Sequence, residues 1–335
     1  MTQRTGDLIS VYEHGATELE QRITSGAKVI DTFEDQAREY AEIHSGNAAS
    51  PRYVYFPWHN MIVKTLDPIA FVATRTNRNH NLITEKEQRI FADSHIAFAG
   101  LNVGNPGALC IAHEGGSRTM SFADPDHLSL SNLNRFRASV ADIGVNKAVL
   151  TARQVLEIDP YYTLIVEPEG VSNETLGSFL DECDLLIEEM DVLPLKIAIR
   201  DAARERGIPV VMVTGNGPGV IIDIERYDLD AKTPILNGNL DKDTERIIRS
   251  DEYTSLPLSE KIVLARDFMG SMALHPRLIS SFEQVGTSLI GIPQLAESSF
   301  IRGAAICHAA RMVLTGTIAS GRYSVSLEDT MHSFV

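Results

Sequence analysis

The chain has 335 residues, 44% of them hydrophobic and 22% charged, enough to bury one large core or two medium ones. Thirty Lys and Arg against 45 Asp and Glu leave a net charge of −15, which repels nucleic-acid phosphates and anionic membranes. Its three cysteines (Cys110, Cys183, Cys307) form no C-x-x-C pair, no apolar run is long enough for a bilayer, and the N-terminus carries no signal core; the expectation is a cytoplasmic protein with no disulfide framework and no zinc.

From Thr2 to about Ser50 the chain is polar and acidic, with helical spacing around Leu19, Ile23, Val29, Ile30 and Phe33. The proline-framed aromatic run PRYVYFPW at 51–58, then Met61 to Val63 and Ile69 to Val72, predict a short strand or turn module and a helix. Residues 1–73 are therefore expected to form a small N-terminal appendage, with Trp58 as a packing anchor. Residues 74–335 are expected to form the main domain, with a tail from about 220.

Thr84 and Glu87 form a capping box ahead of a helix that reaches Ser94. HIAFA at 95–99 reads as a short buried strand, GLNVGNPG at 100–107 as a Gly/Asn turn, and the residues from Ala108 as a helix. A second strand, TMSFA at 119–123, ends on Asp124-Pro125-Asp126. Further strands at 164–166, 185–187 and 210–213 each follow helical spacing, at Ala148 to Leu156, Asn173 to Leu180 and Lys196 to Arg206 with Gly207 as the stop. This alternation predicts an α/β fold with a doubly wound, mainly parallel, Rossmann-like sheet. The charged stretch from Asp241 to Glu252 reads as a solvated loop or lid, and Ala304 to Leu314 as an apolar helix.

The turn after the first strand of such a sheet binds phosphates through free N–H groups at a helix start, which makes Gly100, Asn102 and Gly104 candidate binding residues. As G-x-G-x-x-G, either Gly100 is the first glycine and Asn105 replaces the last, or Ala99 takes the first place and Gly104 the last. Asp124 suits a ribose, of NAD, FAD or ATP alike. SNLNR at 131–135, DIGVNK at 142–147 and the acidic strand end EEMD at 188–191 favour a nucleotidyl transfer, because Arg and Lys can neutralise a triphosphate while an aspartate holds Mg²⁺.

On GLNVGNPG, ADPDHLSLSNLNR, DIGVNK, CDLLIEEMD and ARERGIPVVMVT, the chain resembles the ThiF/MoeB/E1-like superfamily of ATP-dependent adenylating enzymes, over roughly residues 75 to 225. The resemblance implies Asp124 on the ribose, Asp126 supporting its loop, Asn132 and Arg135 on the phosphates, Lys147 on the α- and β-phosphates and Asp191 on Mg²⁺. RTNRN at 75–79 is similar to a family segment whose second arginine enters the other subunit's site, which implies a homodimer with Arg78 acting in trans. No cysteine lies in the crossover region after Thr214 where thioester-forming members keep their nucleophile, and the zinc cysteines of many relatives are missing. The chain therefore looks more like the members that modify small ribosomal peptides in antibiotic biosynthesis, such as the microcin C adenylating or pantocin A maturation enzymes.

The expected function is ATP- and Mg²⁺-dependent adenylation of a carboxylate on a peptide or small protein, the adenylate then being resolved by a nucleophile of the substrate. A sulfur-carrier activating enzyme of the MoeB/ThiF type and a non-catalytic nucleotide-binding scaffold are the alternatives, with a nicotinamide oxidoreductase further behind. Core packing is expected for all three cysteines, surface or core positions for His113 and His127, and a solvated face for Asp181, Glu182 and Asp184. For Glu188 and Glu189 a solvated face and a share in the metal site stay open.

Overall fold

The computed structural model describes residues 1–44, 48–270 and 273–330. Its strands, in chain order, are β1 (Gln3–Arg4), β2 (Ser10–Tyr12), β3 (Lys28–Asp31), β4 (Pro51–Phe56), β5 (Met61–Leu66), β6 (His95–Ala99), β7 (Thr119–Ala123), β8 (Thr163–Glu167), β9 (Leu185–Glu188), β10 (Val210–Asn216), β11 (Gly219–Glu225) and β12 (Gly321–Ser326). Eight of them form one sheet in the order β1-β8-β7-β6-β9-β10-β11-β12. The five from β8 to β10 run parallel; β1 is antiparallel to them at one edge and β11 at the other, and β12, antiparallel to β11, runs in their direction again. The fold is the doubly wound α/β class that the alternation predicts.

Central strands of such a sheet are covered on both faces, so they read as unbroken apolar runs rather than alternating ones. All five residues of β6 and all four of β9 are buried. On one face the helices Leu101–His113, Lys147–Ile158 and Ala296–Leu314 enclose Phe98, Phe122, Ile187 and Val211. The helices Leu101–His113 and Ala296–Leu314 approach closely because glycine sits at the crossing: a Cβ on Gly107 would stand 2.5 Å from Ile306 Cγ2, and one on Gly303 2.8 Å from the Pro106 carbonyl oxygen. Chain order reverses between β6 and β9, since β7 and β8 extend the sheet to one side and β10 to the other. A crevice opens at such a point beyond the carboxyl ends of the strands.

A four-stranded sheet, β2-β4-β5-β3, gathers the first segment of the chain. The first residues belong elsewhere, because Gln3 and Arg4 pair with Val166 and Ile165 at the edge of the large sheet. Leu8, Ile9, Val54 and Phe56 join the main core, and the Trp58 indole donates to Glu157 at 2.6 Å. Among the described residues no helix is long and apolar enough to cross a membrane.

Several local expectations change. Val29 and Ile30 lie in a strand, because pairing with β5 overrides their helical spacing. GLNVGNPG is not a loop: the helix begins at Leu101, directly after Gly100, and includes Gly104, Asn105 and Pro106. The helix over 173–180 shrinks to Leu176–Phe179, and the tail helix lengthens to Ala296–Leu314. Instead of a solvated loop, the Asp241 to Glu252 stretch contains the helix Lys242–Arg249, which buries Ile248 and holds Arg249 on Asp201 at 2.5 Å.

Candidate active site

Three chain turns meet at the crevice, one residue beyond β6, β7 and β9. Gly100 donates its N–H to the Ala123 carbonyl at 2.8 Å, and Glu189 donates to the Ala99 carbonyl at 2.7 Å. Gly100 has φ +92°, and a Cβ there would lie 2.5 Å from the Glu189 carbonyl carbon and 2.7 Å from the Met190 nitrogen. Only glycine accommodates both the positive φ and the close strand turn.

Asp124 is buried and uses both carboxylate oxygens locally. One accepts from Leu101 N at 2.6 Å, capping the helix Leu101–His113, and the other from Asp126 N at 2.8 Å. Loss of hydration raises its pKa above the ordinary aspartate value. Asn146 stitches the neighbouring turns: its side chain accepts from Ala148 and Val149 N at the start of the helix Lys147–Ile158 and donates to the Asp124 and Pro168 carbonyls. That fixes Lys147, whose buried ammonium donates to the exposed Asp126 carboxylate at 2.8 Å.

A cavity of about 320 Å³ opens on the other side of the β6 turn. Asn102 and Val103, in the first helical turn where N–H groups have no intrahelical partner, form part of its wall. Arg135, Glu189, Asp191, Lys196 and Arg302 contribute its charges, and Phe268, Met269 and Ile292 an apolar side. Asp191 is open to this hollow while protein surrounds it on the remaining sides. Lost hydration pushes its pKa up, Lys196 and Lys147 pull it down, and Asp126 and Glu188 add to the rise. Arg135 donates to Ser131 O at 3.1 Å and Asn134 Oδ1 at 2.8 Å, while its Nε is buried with no partner; burial lowers its pKa and Asp191 opposes this. The buried Asn102 Oδ1 is likewise unpartnered.

The two glutamates separate in role. Glu188 is fully buried in an ion network: Lys196 donates to it at 2.9 Å, Arg200 pairs with it, and Arg200 also reaches Glu225 at 3.0 Å. Burial opposes its ionisation, but Lys196 and Arg200 win and hold its pKa below the ordinary value. Glu189 accepts from Val213 N at 2.6 Å and borders the cavity; burial pushes its pKa up to about 8, against the pull of Lys196 and Arg302. Neither takes the solvated-face reading.

The structure thus brings Asn102, Arg135 and Asp191 to one cavity, with Lys147 acting on Asp191 from the β7 side. Gly104 instead faces Leu101 and Phe98 inside the helix packing. Asn132 is buried and closes its own turn by accepting from Ser129 N at 3.1 Å. Arg78 is exposed in the turn Asn77–Asn79 beside Gln36 and Glu39, outside the cavity of its own chain. Arg75 caps the carboxyl end of the helix Leu101–His113 through the Ala112 and His113 carbonyls and pairs with buried Asp159 at 3.0 Å.

Sequence reasoning missed Arg302, Gln294 and the role of Asn146. The Asn146-Lys147 pair carried an N-cap signal that could have marked the last, whereas Arg302 arrives from a helix far along the chain with no local motif. The cysteines also differ from three separate packing thiols. Cys110 and Cys307 face each other across the two close helices, and with Glu114 they place one ligand atom each within 4.8 Å of the others. Cys183 is buried alone near β9, its thiol pushed up to about 12.

The ThiF family model matches residues 75–243. An uncharacterized protein of Mycobacterium tuberculosis (strain CDC 1551 / Oshkosh), MT1398, is 36% identical over 277 residues, covering 82% of this chain and 38% of that protein. The chain thus spans well under half the length of that curated relative. Similar solved structures include PaaA, with 19% identity, a TM-score of 0.52 and 78% of each chain covered. The tRNA N6-threonylcarbamoyladenosine dehydratase TcdA of E. coli, solved with ATP, gives 18% identity, a TM-score of 0.52 and coverage of 73% of this chain and 95% of that one. E. coli MccB with MccA-N7isoASN gives 13% identity, a TM-score of 0.52 and coverage of 72% and 63%. These likenesses show a shared fold, and the family match spans half of the chain: the chain belongs to the ThiF family.

Proposed function

We propose that the chain is an ATP- and Mg²⁺-dependent adenylating enzyme acting on a carboxylate of a peptide or small protein. The observation that carries this reading is the meeting of Asp191, Arg135 and the first turn of the helix Leu101–His113 around one cavity at the switch point of the sheet. ThiF-family adenylyltransferases use ATP, and the unpartnered Asn102 Oδ1 and Arg135 Nε are groups that a polyphosphate ligand and its water would satisfy. An accessible aspartate beside Lys147 suits a hard cation bound through one carboxylate plus phosphates, so Asp191 would hold Mg²⁺, which supplies charge neutralisation at the phosphates.

The chain's own residues then divide the work. Asp124 and Asn146 hold the helix starts in place, and the first of these helices directs free N–H groups at phosphate oxygens. Lys147 exchanges its Asp126 partner for phosphate, and Arg135 neutralises charge developing at the α-phosphorus. A substrate carboxylate oxygen bonds to that phosphorus as its bond to the β-phosphate oxygen breaks, releasing pyrophosphate. A substrate nucleophile next attacks the acyl carbon and AMP leaves, with no enzyme thiol involved. The second subunit of a homodimer supplies Arg78, and the edges of the β2-β4-β5-β3 sheet offer strand addition for a peptide leader, as in ribosomal peptide maturation.

Calorimetric titration of Mg·ATP and of NAD into wild type and Asp191→Asn tests the reading. Mg·ATP binding that weakens in the variant, with NAD silent, is expected. NAD binding alone, or Mg·ATP binding indifferent to Asp191, Arg135 and Lys147 substitutions, overturns it in favour of a dehydrogenase or a scaffold.

A further inference from the structure

Arg302 is 1% exposed, yet it borders the cavity. Its guanidinium donates once, to Gln294 Oε1 at 3.3 Å, its Nε is buried without a partner, and among the described residues it makes no ion pair. An uncompensated buried cation is costly, and arginine matches carboxylate in geometry as well as charge. Gly215 on β10 leaves the space the guanidinium fills, since a Cβ there would overlap its Nη2 atom. The backbone is thus shaped to hold this side chain at the cavity wall.

Across the sheet order β7-β6-β9-β10, Lys147 and Asp124 stand on the β7 side of Asp191, and Arg302 and Gly215 on the β10 side. If the nucleotide occupies the first side, Arg302 faces what approaches from the second. The neighbouring wall there is apolar, with Phe268, Met269 and Ile292.

We infer that Arg302, oriented by Gln294 and Gly215, binds the carboxylate of an acyl substrate whose adjoining group is apolar. This rests on the adenylation reading for the word substrate; the anion site itself does not.

The test follows the Arg302 Nε–H signal by NMR in the full-length protein, assigned by its loss in Arg302→Lys. N-acetyl-leucine, N-acetyl-leucinamide and tripolyphosphate are the probes, each taken to about 50 mM, beyond the millimolar affinity expected of such small ligands. A shift of the Arg302 signal with N-acetyl-leucine alone is expected, and binding of that probe, followed on the ligand's own resonances, should weaken at least about tenfold in Arg302→Met. Gly215→Ala, which displaces the guanidinium without removing it, should also weaken binding and serves if Arg302→Met does not fold. A shift with tripolyphosphate alone, an equal response to both anions, or no shift with any probe overturns the assignment. A carboxylate response in a protein that binds no Mg·ATP keeps the subsite and overturns adenylation; Mg·ATP binding with no carboxylate response does the reverse.

Discussion

Gly100→Ala and Gly104→Ala should have opposite effects, although both glycines belong to the apparent phosphate-loop pattern. At Gly100 the new Cβ meets φ +92°, which costs an L-residue about 1–2 kcal/mol. It also falls 2.5 Å from the Glu189 carbonyl carbon, so the backbone after β9 must retreat by about half an ångström, at a further cost of about 1–3 kcal/mol. The total of about 2–5 kcal/mol corresponds to a melting temperature lowered by roughly 3–7 °C in a chain of this size. Because the displaced backbone leads into Asp191, Mg·ATP affinity should fall as well. At Gly104 the Cβ meets only Leu101 Cδ2 at 3.4 Å and Phe98 at 3.5 Å, ordinary contacts, and alanine favours a helix by about 0.5–1 kcal/mol. Scanning calorimetry and Mg·ATP titration of both variants decide. An unchanged melting temperature in Gly100→Ala, or loss of nucleotide affinity in Gly104→Ala alone, would refute the argument that one glycine serves the turn and the other a helix interior.

Arg200→Met leaves Glu188 and Glu225 buried without their shared cation and should cost about 3–5 kcal/mol in urea unfolding, most of it recovered by adding Glu188→Gln and Glu225→Gln. Glu189 has its folded pKa raised to about 8 from 4.5, so the folded state binds the extra proton between these values and wild-type stability falls as pH rises through that window. Glu189→Gln removes this dependence: relative to wild type it should gain on the order of 1–4 kcal/mol between pH 5 and pH 8.5, and a difference independent of pH would contradict the buried placement. If Arg78 acts in trans, each inactive on its own, Arg78→Ala and Asp191→Asn should together recover about a quarter of wild-type turnover on mixing, because half the dimers are mixed and each restores one site; no recovery would place Arg78 elsewhere. Arg78→Ala alone should leave the melting temperature unchanged, its side chain being exposed.

Local physics made part of this molecule legible. Strands β6, β7 and β9 stood out as short apolar runs because both their faces are covered, and the Thr84–Glu87 capping box appears as expected, with Thr84 accepting from Glu87 N at 3.3 Å. Asp191 was legible because it stands three residues past the end of β9, where chain geometry alone places it near the crevice, whereas Arg135 lies twelve residues beyond β7 and was legible only through the SNLNR resemblance. Val29 and Ile30 misled because their neighbours in sequence suggest a helix while their partners, Ile62 and Val63, lie more than thirty residues on. In GLNVGNPG the glycines suggested a loop; their use is instead the strand turn at Gly100 and the close helix crossing at Gly107, and the second depends on Ile306.

By itself the sequence determined the alternation of strands and helices, which rests on periodicity, caps and spacings readable within a short window, and its motifs carried the resemblance to the family. Only the tertiary structure decided that β1 closes one sheet edge, that β11 and β12 extend the other, that Cys110 meets Cys307, and that Arg302 enters the cavity beside Glu189. These depend on which surfaces are buried against which, a property of the whole chain's packing, and no short segment carries that information.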